Sequence, residues 1–227
     1  NYQTIKFDLR KKKLPYLTCD ILIHTAGITP QKKYSQKKFM DINYYGFKRL
    51  VKHIKIKKRL IYLSTTDIYK GQGNLISVEE NKKINLKNIS PYAKSKFFTE
   101  EFIKNLNPLS HPYEKIILRL PGIVGDNNHI NFISNIVKKL KEKKKVSFFG
   151  AENFFNNIYH VKDLSKLIKF LLYKKKIKNL TNINIGTNKP IKIKKVFDIL
   201  PMKYQKLLKE KKNKKLENIT LNVKNLN

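Results

Sequence analysis

Three short apolar runs divide the chain, and each ends in small or polar residues. The runs are residues 20–24 (DILIH), 60–63 (LIYL) and 116–120 (IILRL). Compact runs of this kind, bounded by turn residues, predict buried β-strands. The residues that follow them are Thr25-Ala26-Gly27, Ser64-Thr65-Thr66 and Pro121-Gly122. Shorter segments at residues 4–7 and 183–186 also resemble strands.

Between these runs, apolar residues recur with the period of a helix. Residues 35–57 carry Phe39, Phe47, Leu50 and Ile54 at this spacing. Further helices are predicted over the segment that bears Tyr92 and Lys96 and over residues 130–141, 164–173 and 193–200, the 164–173 helix with Asp163 as its N-cap. Residues 203–227 are rich in lysine and asparagine, which predicts a solvated helix with frayed ends or a partly disordered tail.

This alternation of buried strands and helices predicts an α/β fold. Strands buried on both faces are typical of a mostly parallel sheet covered by helices, in a doubly wound arrangement. Ligands of such sheets bind outside the carboxyl ends of the strands. The polar residues after the three runs are therefore expected to line a binding site.

Tyr92 and Lys96 form the candidate chemical pair. They are four positions apart on a predicted helix, so they share one face. A cation beside a tyrosine favours the phenolate and lowers its pKa from about 10, which suits a general base that removes a hydroxyl proton. The alternative is a chance surface pair, because a lysine-rich chain contains this spacing often.

Composition limits the class of protein. A chain of 227 residues suits one domain, or one domain with a small lobe. No apolar run is long enough to span a bilayer, and no leader is evident, so we expect a cytoplasmic protein without a membrane association. The single cysteine, Cys19, excludes an internal disulfide and a cysteine-based metal cluster, and we predict no metal site.

The net charge of +34 raises the alternative of a nucleic-acid-binding protein. The cations are almost all lysine and are spread along the whole chain, whereas arginine is the usual partner of bases and phosphates. Lysine, asparagine and isoleucine share A/T-rich codons, so genomic base composition is the favoured explanation. Nucleic acid is the less favoured partner.

Taken in order, the motifs resemble the NAD-dependent epimerase/dehydratase family, the extended branch of the short-chain dehydrogenases/reductases. The resemblance runs from about Asp8 to Ile199. Its segments are Asp8-Leu9, Asp20 to Gly27, Asn43 with Gly46, Leu63 to Tyr69, Tyr92 to Lys96, Leu118 to Gly125, Tyr159 to Asp163, and Asn184-Ile185-Gly186. Each match is weak alone, and the ordered set is specific.

The resemblance implies a Rossmann-like fold, NAD or NADP as cofactor and a small-molecule substrate, either a sugar nucleotide or another secondary alcohol or ketone, with a homodimer as a further expectation. It implies that Thr65, Tyr92 and Lys96 are catalytic. The cofactor contacts that it implies are Asp8, Leu9, His24, Thr25, Ala26, Gly27, Asn43, Leu63, Ser64, Tyr92, Lys96 and Pro121. The implied substrate contacts are Thr65, Thr66 and Gly122. His24 is expected to neighbour the cofactor without a chemical role, and Glu79 and Glu80 to be solvated loop charges.

The chain also departs from the family pattern. It has no glycine-rich turn of the kind that cradles a pyrophosphate, and its first segment resembles the third strand of the family. We therefore expect an N-terminally incomplete sequence that lacks the first β-α-β unit and is inactive alone. Thr66 and Asp67 replace the Asp-Glu pair of family dehydratases, which disfavours a 4,6-dehydratase.

The expected organisation has two parts. Residues 1–125 and 158–186 would form the remainder of the dinucleotide-binding domain, and residues 126–157 and 187–227 a smaller substrate-binding lobe with a basic tail. The leading hypothesis is an NAD(P)-dependent oxidoreductase or epimerase that acts on a secondary alcohol or ketone. The alternative from another class is a dinucleotide-sensing or scaffold protein without turnover.

Overall fold

The computed structural model describes residues 4–11, 15–30, 32–126, 131–177, 180–211 and 216–226. The strands, in chain order, are β1 (Leu17–His24), β2 (Ile54–Thr65), β3 (Leu75–Val78), β4 (Glu114–Leu120), β5 (Gly122–Val124), β6 (Val146–Phe148), β7 (Phe154–Phe155), β8 (Ile158–His160), β9 (Leu180–Asn184), β10 (Ile191–Lys192), β11 (Leu208–Glu210) and β12 (Ile219–Leu221). The helices are α1 (Gln36–Phe39), α2 (Gly46–His53), α3 (Pro91–Lys104), α4 (Phe132–Lys141), α5 (Val161–Tyr173), α6 (Ile193–Asp198) and α7 (Met202–Gln205). A π-helical stretch, Met40–Tyr45, joins α1 to α2, and 3-10 turns span Thr66–Tyr69, Leu86–Asn88 and Lys224–Leu226.

The central sheet has the strand order β1-β2-β4-β9. β1 and β2 run parallel, with Leu22 opposite Leu60 and His24 opposite Tyr62. Smaller parallel pairs join β5 to β8, β3 to β12 and β6 to β11, and β7 pairs with β10 in the antiparallel sense. The predicted α/β fold with a mostly parallel sheet is confirmed.

The apolar runs form the buried middle of this sheet. Leu60, Ile61 and Tyr62 of β2 are fully buried, as are Ile116 and Leu118 of β4. Adjacent residues of a strand point to opposite faces, so burial of consecutive residues shows that both faces of the sheet are covered. This explains why these strands appear in the sequence as unbroken apolar runs.

The first predicted helix is shorter than expected. It begins after Ser35, whose Oγ accepts a hydrogen bond from the Lys38 N–H, and it ends at His53. Residues 54–57 open β2 instead, because Ile54 and Ile56 alternate with lysines and alternation of β-branched residues favours a strand. The extension of the helix to residue 57 was therefore wrong.

Other local predictions also need correction. Residues 4–7 are exposed and form no strand. Asp163 lies inside the first turn of α5, which begins at Val161, so it is not the N-cap. Glu80 is not a solvated charge, because its carboxylate accepts hydrogen bonds from the Asn184 N–H at 2.8 Å and from Asn225 Nδ2 at 3.1 Å.

The C-terminal tail contains β11 and β12 where a frayed helix or disorder was predicted. Leu221 and Val223 are buried, and Asn156 holds Leu221 by bonding both its N–H and its carbonyl oxygen at 2.9 Å. The Glu217 carboxylate accepts hydrogen bonds from the N–H groups of Gly71 and Gly73, each at 2.7 Å. These partners are distant in sequence, so the local composition of the tail gave no indication of them.

The chain divides into two compact units. The first comprises residues 1–68, 89–118 and 174–182, and the second comprises residues 69–88, 119–173 and 183–227. The core of the first unit contains Phe47, Val51, Ile56, Leu60, Tyr62, Ile103, Leu106, Tyr113 and Ile117. That of the second contains Ile136, Leu140, Val146, Phe148, Ala151, Ile193 and Phe197. The predicted division into a dinucleotide-binding domain and a substrate lobe rests on ligand binding and stays a prediction.

Within the described ranges, no helix has both the length and the apolar content needed to cross a lipid bilayer.

Candidate active site

The end of β2 and the start of α3 bring Thr65, Tyr92 and Lys96 together in the first unit. Ser90 caps α3, since its Oγ accepts a hydrogen bond from the Ala93 N–H at 3.1 Å, and Pro91 occupies the first turn. This start places Tyr92 and Lys96 in successive turns of one helical face. The Thr65 hydroxyl lies beside the Tyr92 phenol, and its oxygen accepts a hydrogen bond from the Asp67 N–H at 3.1 Å.

The phenol of Tyr92 is held in its neutral form. Burial and the nearby Asp67 carboxylate together raise the pKa of Tyr92 to about 12, and the Thr65 hydroxyl partly opposes this rise. The Lys96 Nζ lies 4.3 Å from the ring centroid of Tyr62. The prediction of a lowered Tyr92 pKa is wrong, because the pKa is raised.

Lys96 is a buried cation. Its residue is only 8% exposed. Burial lowers the pKa of its ammonium to about 7, while the Glu100 carboxylate opposes this effect. The ammonium rests on the face of the Tyr62 ring, a cation–π contact. At neutral pH this lysine is therefore poised between its charged and neutral forms.

We expect the Asp67→Asn variant to lower the pKa of Tyr92 below about 12, because it removes a negative charge that disfavours the phenolate. The measurement is a titration of phenolate absorbance, with Tyr92 isolated from the other tyrosines by subtraction of the Tyr92→Phe curve. Asp20→Asn, which changes a carboxylate whose side chain is 76% exposed, is the control and should leave the curve unchanged. An unaltered pKa in Asp67→Asn would show that Asp67 does not act on Tyr92.

The turn after β1 is fixed by Asn43, which lies in the π-helical stretch. The Asn43 amide accepts a hydrogen bond from the Ile28 N–H at 2.8 Å and donates to Ser95 Oγ at 3.0 Å, and Ser95 Oγ donates to the carbonyl oxygen of Tyr92 at 2.7 Å. A Cβ atom on Gly27 would lie 2.9 Å from Asn43 Oδ1, so this position requires glycine. The network ties the turn after β1 to the start of α3.

His24 is the last residue of β1 and directly precedes this turn. It is buried against the rings of Phe47 and Tyr62. Burial lowers the pKa of its imidazole to about 3, the charge of Lys96 lowers it further, and a hydrogen bond with the backbone of Ala26 opposes the effect. His24 is thus neutral at physiological pH, and the next residues, Thr25, Ala26 and Gly27, are exposed.

The remaining predicted site residues lie in several places. Asp8 is paired with Arg10, whose hydrogen bonds lower the pKa of the carboxyl to about 2. The carbonyl oxygen of Leu9 accepts a hydrogen bond from Arg49 Nε at 2.9 Å.

Leu63 is half-buried in β2, Ser64 is buried there, and Thr66 is buried at the start of a 3-10 turn. Pro121 and Gly122 belong to the second unit, where Gly122 opens β5 and packs near Asn131.

Three motif residues of the second unit have structural roles. The guanidinium of Arg119 donates hydrogen bonds to the Tyr69 hydroxyl at 2.6 Å and to the carbonyl oxygen of Glu80 at 2.8 Å. The Tyr69 hydroxyl donates to Asn184 Oδ1 at 2.8 Å. All three side chains are buried. Their bonds join β4, β9 and the start of the second unit.

Sequence reasoning missed Tyr62, Asp67 and Glu100. Glu100 is fully buried, and Ser64 Oγ donates a hydrogen bond to its Oε1. The sequence did contain a signal for Glu100 and Tyr62. Tyr92, Lys96 and Glu100 are spaced four apart on one helix, and Tyr62 and Ser64 share one face of β2. The effect of Asp67 on Tyr92 depends on tertiary structure and had no such signal.

Comparison with known proteins places this site in a family. A protein of Methanocaldococcus jannaschii named "Putative UDP-glucose 4-epimerase" is 26% identical over 209 residues, which cover 86% of this chain and 66% of that protein. The chain thus spans slightly less than two thirds of this curated relative.

Solved structures share the fold. The UDP-glucuronic acid 4-epimerase of Bacillus cereus in complex with NAD matches with a TM-score of 0.68 and 21% identity, over 85% of this chain and 63% of that one. The dTDP-glucose 4,6-dehydratase of Bacillus anthracis in complex with NAD matches with a TM-score of 0.69 and 17% identity, over 98% of this chain and 71% of that one. The profile of the NAD-dependent epimerase/dehydratase family matches residues 5–186, and the chain belongs to that family.

Proposed function

We propose that the protein is an NAD-dependent oxidoreductase of the epimerase type, which acts on a secondary alcohol or ketone of a nucleotide sugar. The observation that carries the proposal is the proximity of the Thr65 hydroxyl to the Tyr92 phenol, with Lys96 one turn further along the same helix. The named relatives, which act on UDP-glucose, UDP-glucuronic acid and dTDP-glucose, support a nucleotide sugar as the substrate class.

The residues present fit the cofactor. In the described part of the chain, the ammonium of Lys96 contacts the Tyr62 ring face and makes no hydrogen bond, so its donors are available to sugar hydroxyls. The exposed turn Thr25-Ala26-Gly27 offers backbone and a hydroxyl for further contacts. Lys96 and this turn would hold NAD, and Asn43 would act by fixing the turn. When bound, NAD supplies reversible acceptance of a hydride from the carbinol carbon.

Tyr92 would take the proton of the substrate hydroxyl, and Thr65 would hold the substrate oxygen in line by a hydrogen bond. With a pKa of about 12, only about one Tyr92 in 10⁵ is a phenolate at pH 7 in the chain alone. Positive charge close to the phenol would increase that fraction. Lys96 in its charged form is the protein group suited to supply this positive charge.

The residues after Thr65 favour an epimerase or reductase over a 4,6-dehydratase. Thr66 begins the 3-10 turn, and Asp67 follows it with a carboxylate that raises the pKa of Tyr92. A dehydratase needs an additional acid and base for the carbons beside the ketone, and this pair supplies only one carboxylate. The likeness to the dTDP-glucose dehydratase is at the level of the fold.

The experiment that tests the function uses the protein produced from its complete reading frame, with NAD and UDP-glucose or UDP-glucuronic acid. Formation of the C4 epimer, followed by NMR, or formation of NADH is the expected result. Failure to convert either sugar, with correctly folded protein, would contradict the proposed substrate class.

In the same assay, we expect Thr65→Val to lower kcat by about 10²-fold, since it removes a hydrogen bond to the reacting oxygen. Thr65→Ser keeps the hydroxyl and should retain most of the activity. Equal activity of the valine and serine variants would exclude a role for the hydroxyl.

A further inference from the structure

We propose that Glu100 is a positioning residue that keeps Lys96 a cation in the candidate active site, and that Ser64 in turn fixes Glu100. The inference rests on the proposed function for the role of Lys96 and adds a group that the motif does not contain. Glu100 does not touch the reacting atoms in this scheme. It acts through Lys96.

The burial of Glu100 is the first observation. The residue has no exposed surface, although it carries a carboxylate. A buried charge is costly unless it is hydrogen-bonded or paired. Ser64 Oγ, at the end of β2 and next to Thr65, donates a hydrogen bond to Glu100 Oε1. Glu100 therefore connects the strand end that carries Thr65 to the helix that carries Lys96.

The position of Glu100 relative to Lys96 is the second observation. The two residues are four apart on α3, the spacing at which an acid and a base attract each other across one helical turn. The Lys96 ammonium lies 4.3 Å from the ring centroid of Tyr62, a residue of β2. A buried carboxylate one helical turn away and a ring face from another element are thus both close to Lys96.

Apart from Asp67, whose carboxylate acts on Tyr92, the other titratable groups around Lys96 carry no negative charge at neutral pH. His24 is neutral, because burial lowers its pKa to about 3. Tyr62 and Tyr92 are neutral phenols, because burial raises the pKa of both. The elements packed on the other side of α3 present Asn43 to Ser95 and the Phe39 ring to Tyr92, and neither is charged. Glu100 is the group whose charge raises the pKa of Lys96.

Removal of this charge has a defined consequence for Lys96. The pKa of Lys96 is about 7 with Glu100 present, so about half of the lysine is protonated at pH 7. We expect Glu100→Gln to lower that pKa by about 1 or more. The protonated fraction at pH 7 then falls about fivefold. If Lys96 acts as a cation, kcat/KM at pH 7 falls by a similar factor, and the rise of activity with pH ends at a lower pH.

The test is an NMR titration of the 227-residue chain labelled with ¹³Cε-lysine. The Lys96 signal is assigned by its absence from the Lys96→Met variant. Glu101→Gln is the matched control, because it removes the next carboxylate of α3, which pairs with Lys104 at 2.7 Å. A lower Lys96 pKa in Glu100→Gln with an unchanged value in Glu101→Gln supports the proposal.

Ser64→Ala provides a second route if Glu100→Gln does not fold. It keeps the carboxylate and removes its anchor, so we expect a smaller fall in the Lys96 pKa in the same direction. A Lys96 pKa that does not move in either folded variant would overturn the proposal. If the titration shifts as expected but the wild-type enzyme transfers no hydride, the electrostatic coupling stands and the proposed function fails.

Discussion

Replacement of Tyr92 by phenylalanine is expected to lower kcat by on the order of 10³-fold, because the variant loses the group that accepts the substrate proton. The phenol is placed for this role by the Ser90 cap of α3, and it lies beside the Thr65 hydroxyl. Phenylalanine keeps the ring, which packs edge-to-face against Phe39 at 5.8 Å between centroids. The loss should therefore appear in kcat with little change in stability.

The measurement is the steady-state rate of nucleotide-sugar epimerisation by the protein of the complete reading frame, with thermal unfolding as a check on folding. Tyr45→Phe is the matched control, since this tyrosine is 48% exposed in the neighbouring π-helical stretch and should give wild-type rates. The wild-type kcat should rise with pH up to about pH 7, where Lys96 begins to lose its charge, and this rise should be absent in Tyr92→Phe. Equal rates in wild type and Tyr92→Phe would exclude Tyr92 as the proton acceptor.

The sequence was sufficient to predict the elements that place this site. Leu60, Ile61 and Ile116 belong to runs buried on both faces, and such runs can be recognised without knowledge of their neighbours. The helix of Tyr92 and Lys96 also follows from local signals, since a serine cap and a proline mark its start. The order of the motifs then indicated the family, which the family profile confirms.

The electrostatics of the site could not be predicted in this way. The spacing of Tyr92 and Lys96 suggested that the ammonium faces the phenol, whereas the structure turns it toward Tyr62, a residue of another element. The rise in the pKa of Tyr92 depends on burial and on Asp67, both of which are set by tertiary packing. The tail strands were missed for the same reason, because β12 forms against β3, more than a hundred residues earlier in the chain.

Replacement of Arg59 by methionine is expected to have the largest effect on stability. It should lower the free energy of unfolding by about 3–5 kcal/mol. Arg59 is fully buried, and its Nε donates a hydrogen bond to Glu114 Oε2 at 2.7 Å. Its Nη2 donates to the carbonyl oxygen of Lys174 at 3.0 Å, and the other oxygen of Glu114 accepts from the Ile177 N–H at 2.8 Å. The single variant leaves the Glu114 carboxylate, which is only 15% exposed, without its counter-charge.

Urea unfolding followed by circular dichroism measures this cost. Lys57→Met is the matched control on the same strand, because Lys57 and Asp20 form an exposed pair at 3.8 Å, and surface changes of this kind alter stability by about 0.5 kcal/mol or less. The double variant Arg59→Met with Glu114→Met should recover much of the loss, since it removes the uncompensated charge as well. If the single variant cost less than about 1 kcal/mol, the carboxylate would have to be solvated or protonated, and the pair would not anchor segment 174–177 to β2 and β4.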